Sequence, residues 1–282
     1  PSQAMAEGSM LQVIVFALLL GLALSRAGAA GDRIADFFAD LNQVMMKLIT
    51  MVIQLTPYGV FCLMVKLGAT VGWVEIGKVL AYFLTVASAL ILHGLIVYPS
   101  LLKVLTGINP LMFLRKMREP MLVAFSTSSS GATLPVTLRT VEHRIGVNNN
   151  VAAFAVPLGA TINMDGTAIM QGVATVFIAQ FFGYQLGVDA LLMVVLTATL
   201  ASIGTAAVPG VGLITLTLVL DQVGLPVEGI GLIIGVDRLL DMLRTVVNVT
   251  GDGTVATIVA KTEGQLDLET LQNPTAGAVA ET

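Results

Sequence analysis

The sequence predicts an all-α membrane protein, a multi-span helical bundle with two inverted re-entrant hairpins and broken helices. Hydrophobic residues make up 56% of the 282 residues and charged residues only 11%, against about a quarter in soluble domains. Apolar runs such as 79–102 reach the ~20 residues needed to span a bilayer. Small and polar residues interrupt the later runs at 126–135 and 202–212, which does not suit straight lipid-facing helices.

The first third of the chain is predicted to form ordinary spans. The apolar runs place these spans at 9–27, 36–68 and 75–104. Pro57 predicts a kink or break in the second span, because proline removes a backbone donor from a helix.

Two re-entrant hairpins are predicted after Gly107. In hydrocarbon, an unwound backbone is tolerated only where protein or a water-filled cavity satisfies its polar groups. We therefore place a hairpin at 110–141, with its tip at Ser126 to Ala132, and a second at 187–225, with its tip at 202–212.

Each hairpin is followed by a span with a polar interior, at 149–182 and at 229–260. Two hairpin-plus-broken-helix units are the pattern expected of transporter repeats, whose binding site lies at their interface. Lys and Arg near the span ends place the base of the first hairpin inside and that of the second outside. The two hairpins would therefore meet near mid-membrane with inverted topology.

Charge and cysteine usage exclude several functions. The net charge of −4 and the 14 Lys plus Arg offer no basic face for nucleic acid. Cys62 is the single cysteine, so it forms no internal disulfide. His93 and His143 fit no metal-ligand spacing and are not expected to be ligands.

The final span carries a ladder of polar residues with spacings of four, three, four and four: Asp237, Asp241, Arg244, Asn248 and Asp252. At about 100° per residue, all five project from one helix face. Ionisable groups in a membrane cost at least ~2.5 kcal/mol each, so this face should look into a bundle or cavity. Arg244 could bind a carboxylate and Asp241 an ammonium group, or the two could merely neutralise each other as an internal ion pair.

The run from Gly159 to Thr167 places oxygen ligands and a helix-breaking glycine within apolar sequence. Backbone carbonyls with one or two carboxylates are the ligands that hard cations prefer. Asp165 and Asp252 are therefore expected in sodium sites. Amide N–H groups and serine hydroxyls at Ser128 to Ser130 suit a substrate carboxylate.

These motifs resemble the dicarboxylate/amino acid:cation symporter family, which includes animal glutamate transporters and archaeal aspartate transporters. The resemblance extends to about residue 264 and is carried by SSSGATLP at 128–135, GATINMDGTA at 159–168, SIGTAAVPGVG at 202–212 and DRLLDMLRTVVNVTGD at 237–252. It implies a homotrimer in which a mobile transport domain crosses the membrane like an elevator, with the second hairpin as its gate.

The resemblance also implies roles for single residues. Arg244 would bind the substrate side-chain carboxylate, Asp241 its amino group, and Asn248 with the Ser130 backbone its main carboxylate. The expected substrate-binding residues are Ser129, Ser130, Thr167, Val208, Pro209, Gly210, Gly212, Asp241, Arg244, Thr245 and Asn248. The three expected sodium sites are Gly159, Asn163, Asn248 and Asp252; Thr161, Ser202, Ile203 and Thr205; and Asn163 and Asp165.

On this basis 1–74 are expected to form scaffold-type helices, 75–262 a transport domain and 263–282 a disordered tail. Spans preceding residue 9 in the family are missing, so these residues alone are not expected to transport. Ser128 and Met242 stand where other members often carry an arginine, and coupling or rate could therefore differ.

The predicted function is sodium-coupled symport of aspartate or glutamate by a multi-pass protein of the plasma (inner) membrane, with H⁺ as the alternative coupling ion. An alternative is a C4-dicarboxylate symporter coupled to protons or sodium. Its substrate has no ammonium group and would need no carboxylate to bind one, so the presence of Asp241 counts against it. An intramembrane aspartyl protease using Asp165 and Asp252 is a third hypothesis. It requires two carboxylates that share a proton and leaves Arg244 unexplained, so an enzyme is not expected.

Overall fold

The computed structural model describes residues 10–53, 58, 65, 73–203, 205, 207–273 and 276–277. The chain divides into two compact units, Pro1–Gly72 and Trp73–Thr282. Within the described residues the secondary structure is helical, apart from one isolated antiparallel bridge between Val147 and Leu266. The predicted all-helical class is therefore confirmed.

Where the structure describes the first unit, two helices pack against each other, α1 (Met10–Arg26) and α2 (Ala29–Ile53). Gly28 between them has a φ of 58°, a left-handed conformation that glycine adopts without steric cost. Because this turn is so short, α2 begins at Ala29 rather than at the predicted residue 36. The predicted break at Pro57, and with it Cys62, lies outside the described residues.

The second unit begins with a long helix interrupted by one wider turn. Helix α3 (Trp73–Leu92) continues through a π-helical turn at His93–Val97 into α4 (Tyr98–Thr106). Within the described residues, Gly77–Thr106 is the one segment long and apolar enough to cross a membrane. Gly107 ends this helix in a left-handed conformation, with a φ of 73°.

Three helices and a second π-helical turn follow: α5 (Pro110–Lys116), α6 (Arg118–Thr127), α7 (Ser130–Thr140) and the turn Val141–Ile145. We call α6 and α7 the first helical pair, and Ser128 and Ser129 the first tip. Ser128 has a φ of 53°, which ends α6. The Ser129 hydroxyl then caps α7 by accepting a hydrogen bond of 3.1 Å from the Ala132 N–H.

The next helices are α8 (Asn149–Ile162), α9 (Asp165–Phe181), α10 (Val188–Ile203), α11 (Val211–Gln222) and α12 (Ile230–Thr262). The predicted broken span is α8 and α9, which are separated at Asn163 and Met164. We call α10 and α11 the second helical pair, and 204–210 the second tip, of which Thr205 and 207–210 are described.

Helix α12 lies at the centre of the second unit, in contact with α3, α6, α8 and α9. Apolar side chains from α4, α5 and α12, among them Leu102, Phe113 and Ala256, form a buried core against α8. Burial of apolar area contributes about 25 cal/mol per Å². This packing holds α12 rigidly against the broken span.

The end of the second unit differs from the disordered tail predicted for 263–282. Residues 264–273, the C-terminal segment, include a short helix, α13 (Leu268–Gln272), and Leu271 is buried. The Asp267 N–H donates to Gly146 O at 2.8 Å and the Asn148 N–H to Gln265 O at 3.0 Å. The polar composition suggested disorder, but backbone bonds to the loop after α7 order this segment.

The Lys116 ammonium also holds the C-terminal segment in place. It is 3% exposed and donates to the carbonyls of Arg144 at 2.5 Å, Thr270 at 2.8 Å and Asn273 at 2.9 Å. A buried ammonium is costly unless its donors are satisfied. We call Lys116, just before α6, and Arg144, just after α7, the base of the first helical pair. This base and the C-terminal segment therefore depend on each other.

Candidate functional site

The polar ladder of α12 is buried. The exposed fractions are 5% for Asp237, 7% for Asp241, 1% for Arg244, 4% for Asn248 and 1% for Asp252. Arg238, which lies outside this face, is exposed. The spacing therefore places five polar side chains inside the unit, where each needs a partner.

Arg244 is held by two carboxylates of its own helix. Its Nη2 lies 2.7 Å from Asp241 Oδ1, and its Nη1 lies 3.1 Å from Asp237 Oδ1. A buried ion pair is tolerated only with such close geometry. The structure thus has the internal ion pair that was the alternative to substrate binding by Asp241 and Arg244, and it adds Asp237 to the pair.

The second tip closes over this ion pair. The Gly210 N–H donates to Asp241 Oδ2 at 2.9 Å. A Cβ atom added at Gly212 would lie 3.2 Å from Arg244 Nη1, so a side chain there would crowd the guanidinium. Gln171 of α9 holds the start of α11, since its Nε2 donates to Thr215 Oγ1 at 2.7 Å.

The two tips contact each other through one carbonyl. Ala207 O accepts hydrogen bonds from Ser129 Oγ at 2.7 Å and from the Gly131 N–H at 3.2 Å. Ala207 was not among the predicted site residues. It contributes only backbone, so no side-chain signal in the sequence could have identified it.

The predicted substrate residues surround a small cavity of about 20 Å³. Its lining includes Ser130, Thr167, Val208, Gly212, Asp241, Arg244, Thr245 and Asn248. Ser129, Pro209 and Gly210 lie beside it in the two tips. A cavity of this size holds about one water molecule, whereas pockets for small-molecule ligands usually measure about 300–1,000 Å³. The cavity is therefore too small for an amino acid.

A larger cavity of about 710 Å³ lies between α3, α9 and α10. Its lining is mainly aliphatic and aromatic, with Val173, Phe177 and Leu191 among the residues. Few of its groups could bind a charged ligand, so we place the candidate site at the smaller cavity, where the buried charges lie.

Residues of the first predicted sodium site come together at the break between α8 and α9. Asn163 Nδ2 donates to Asn248 O and to Asp252 Oδ1, both at 3.1 Å. A Cβ atom at Gly159 would lie only 2.7 Å from Asp252 Oδ1. Gly159 therefore allows the Asp252 carboxylate to pack against the backbone of α8.

The second predicted sodium set is less clearly assembled. Thr161 is exposed and its hydroxyl donates to Leu158 O at 2.9 Å. Ser202 and Thr205 also donate within their own segment, to Thr199 O and Ala201 O, both at 2.8 Å. Helices α8 and α10 contact each other, but these side chains and Ile203 do not form a shared cluster of oxygen ligands among the described residues.

The two members of the third predicted sodium set face different partners. Asn163 bonds to α12, whereas Asp165 Oδ2 accepts from Tyr98 OH at 2.9 Å and lies 3.2 Å from His93 Nε2. Neither His93 nor Tyr98 was a predicted site residue. The sequence did carry a signal that could have identified them: both are ionisable side chains within the apolar run 79–102, and such residues are costly in a membrane.

Comparisons with known proteins agree with the motifs. Residues 1–262 match the Sodium:dicarboxylate symporter family. The chain is 44% identical over 253 residues to an Excitatory amino acid transporter of Caenorhabditis elegans, which covers 89% of this chain and 50% of that protein. It is 42% identical to Excitatory amino acid transporter 3 of Mus musculus, over 90% of this chain and 49% of that protein.

A human relative shows a similar identity and coverage. Excitatory amino acid transporter 2 of Homo sapiens is 42% identical over 89% of this chain and 44% of its own length. The chain thus spans about half the length of the curated relatives it matches.

Proposed function

The chain belongs to the sodium:dicarboxylate symporter family, and from that premise we propose that the protein is a sodium-coupled symporter of aspartate or glutamate. The relatives are named excitatory amino acid transporters. A protein of this family is embedded in a membrane, and we place this one in the plasma (inner) membrane. We expect no enzymatic activity.

The observation that best supports this proposal is that Arg244 is buried next to the second tip. The guanidinium is 1% exposed, and Asp237 and Asp241 bring one negative charge more than it neutralises. An acidic amino acid brings two carboxylates and one ammonium group. Its side-chain carboxylate would replace Asp241 at Arg244, and its ammonium would then pair with Asp241.

This exchange would also move the second tip. Asp241 bonds both Arg244 and the Gly210 N–H, so a substrate that takes over either bond changes the attachment of the tip. The cavity of about 20 Å³ must widen for the substrate to enter. We therefore propose the second helical pair as a re-entrant hairpin that gates the site.

Sodium would bind at the oxygen-rich positions near the helix break. Gly159, Asn163, Asn248 and Asp252 already lie together, and their carbonyl, amide and carboxylate oxygens suit a hard cation. We also retain Thr161, Ser202, Ile203 and Thr205 as a second site that would assemble when the second tip moves. Asp165 and Asn163 would contribute to a third.

The architecture of the whole protein is proposed by analogy with the family. Residues 1–74 would belong to a scaffold and 75–262 to a transport domain that moves as an elevator, in a homotrimer. The first helical pair would be the other re-entrant hairpin of the transport domain. The separation into two compact units at Gly72/Trp73 supports such a division.

Uptake by the full-length protein in proteoliposomes tests the function. We expect accumulation of labelled aspartate with an inward Na⁺ gradient and little uptake with choline. R244Q should lower kcat/KM for aspartate on the order of 100-fold, because a charge-assisted bidentate contact is lost. R238Q is the matched control on the exposed face of α12 and should transport normally. Absence of uptake under both Na⁺ and H⁺ gradients would refute the proposal.

The C4-dicarboxylate alternative differs from the proposed function in its substrate, which has no ammonium group to pair with Asp241. Asp241 lies within reach of the cavity, which favours substrates with an amino group. D241S should therefore abolish aspartate uptake. If succinate outcompetes aspartate in the wild type and D241S still takes up succinate, the substrate is a dicarboxylate.

A further inference from the structure

The π-helical turn between α3 and α4 brings two side chains onto one face. The Tyr98 N–H donates to His93 O, a hydrogen bond between residues five apart. In a regular α-helix, residues five apart point about 140° away from each other. Such wider turns are rare and frequently lie at functional sites. Here the turn directs both His93 and Tyr98 towards the start of α9.

Both side chains bind the same oxygen atom of Asp165. Tyr98 OH donates to Asp165 Oδ2 at 2.9 Å, and His93 Nε2 lies 3.2 Å from that atom. A carboxylate only accepts hydrogen bonds, so Nε2 carries a proton in this contact. The two rings pack edge to face, with centroids 4.6 Å apart. The second carboxylate oxygen, Oδ1, takes no part in either bond.

Gly251 of α12 makes room for this arrangement. A Cβ atom at this position would overlap both Tyr98 OH and Asn163 Nδ2. Tyr98 OH therefore lies close to the amide that bonds Asp252. The Asp165 contacts and the Asn163 contacts thus share one packed region between α4, α9 and α12.

We propose that His93 and Tyr98 are positioning residues that fix the Asp165 carboxylate for sodium binding. The proposal rests on the proposed function, in which Asp165 is a sodium ligand. Two donors on Oδ2 restrict rotation of the side chain and leave Oδ1 to the cation. Sodium then binds a carboxylate that is already oriented, so less conformational freedom is lost on binding. Residues that orient metal ligands in this way often affect affinity as much as 10–100-fold.

The test compares variants of the full-length protein in proteoliposomes. Y98F removes one hydroxyl and keeps the ring, H93A removes the imidazole, and H93Q keeps an N–H donor near the position of Nε2. The half-saturating Na⁺ concentration for aspartate uptake and the aspartate KM at saturating Na⁺ are measured. Stabilisation of the purified protein by Na⁺, as a shift of its thermal midpoint, provides a second measurement that does not depend on transport.

We expect Y98F and H93A to raise the half-saturating Na⁺ concentration on the order of 10-fold and to leave the KM at saturating Na⁺ unchanged. H93Q should recover most of the loss. In a D165A background, Y98F should have no further effect on Na⁺ stabilisation, because the acceptor of the Tyr98 hydroxyl is gone. Y184F, which changes an exposed tyrosine, is the matched control and should behave as the wild type.

Two kinds of result would overturn the inference. If wild-type uptake depends on Na⁺ but Y98F and H93A keep the wild-type Na⁺ dependence, the positioning role is wrong and the proposed function stands. The positioning role is also wrong if both variants only lose thermal stability, equally with and without Na⁺. If the wild type shows no Na⁺ dependence at all, the proposed function fails and the inference fails with it.

Discussion

The two helical pairs of the second unit differ in length, with helices of 10 and 11 residues in the first and of 16 and 12 in the second, and they are held in different ways. In the first pair, α6 packs along α12, and its base is bonded to the C-terminal segment through the buried Lys116. In the second pair, α10 packs mainly on α9 and carries exposed aliphatic side chains such as Leu192 and Val195. The second pair is hydrogen-bonded to the polar ladder of α12 through its tip, where the Gly210 N–H donates to Asp241 Oδ2.

From this difference we infer which pair would move more easily. Displacing the first pair would break helix packing along α12 and expose the Lys116 ammonium. Among the described residues, moving the second tip breaks the hydrogen bonds from Gly210 to Asp241 and from Ser129 and Gly131 to Ala207 O, each with a net contribution of about 1 kcal/mol. We therefore expect motion at the second tip and rigidity at the base of the first pair, and the following predictions are given in order of decreasing effect.

A disulfide between the two tips should have the largest effect. A Cβ atom at Gly131 would lie 3.6 Å from the Ala207 Cβ, within the range of about 3.5–4.5 Å found in disulfides. In a full-length protein whose native cysteines, Cys62 among them, are replaced, G131C/A207C should lose transport completely on oxidation. Reduction should restore it, and each single cysteine variant is the control. Full transport with the disulfide formed would show that the tips need not separate.

Removal of the Lys116 ammonium should destabilise the first pair. K116M leaves three carbonyls without their donor, and we expect a loss of unfolding free energy on the order of 3 kcal/mol. The measurement is unfolding of the purified protein in mixed micelles. K103M is the matched control, because Lys103 is exposed and donates to one carbonyl. Equal stability of the two variants would contradict the role given to Lys116.

Loss of the Ser129 hydroxyl should have a smaller effect on both tips. S129A removes the cap of α7 and the bond to Ala207 O, which should cost about 1–2 kcal/mol of stability. We also expect a higher aspartate KM, because the second tip loses one contact that holds it closed. S126A is the control, since that exposed hydroxyl bonds only within its own helix. A wild-type aspartate KM in S129A would show that Ser129 does not help to hold the second tip closed.

The smallest effect is expected from pH at the C-terminal segment. The Thr270 hydroxyl, followed by the backbone N–H groups of Thr270 and Glu269, lowers the pKa of Asp267 below its ordinary value. The ionised form is therefore favoured when α13 is folded. Its contribution is present above the unfolded pKa of about 3.9 and is lost as the pH falls through the lower folded value.

Hydrogen exchange measures this effect. Protection factors of amides in 265–273 should decrease as the pH is lowered from about 6 to about 3. D267N should have lower protection at the higher pH and little further change. The same pH dependence in D267N would assign it to another group.

Much of the fold and part of the site could be predicted from the sequence. The spacing of Asp237, Asp241 and Arg244 predicted a shared buried face because a single helix fixes the angles between its residues. The breaks at Ser128 and Asn163 were predicted because small and polar residues interrupt apolar runs. Such patterns are local, so one sequence is enough to identify them.

The missed features depend on contacts between distant segments. Lys116 acts on Thr270, and Tyr98 acts on Asp165, and no local spacing joins either pair. Ala207 contributes a carbonyl that every residue type has. The C-terminal segment was predicted to be disordered because its polar composition conceals one buried side chain, Leu271, and several backbone bonds.

The attachment of Lys116 has a consequence for the order in which the chain folds during its synthesis. Its acceptor Thr270 lies 154 residues further along the chain, which a ribosome adds in roughly 8–30 s. During that interval the ammonium has only part of its final set of acceptors, and an unpaired charge is too costly to bury. The base of the first pair must therefore stay hydrated until the last helices have been inserted, and the C-terminal segment completes it.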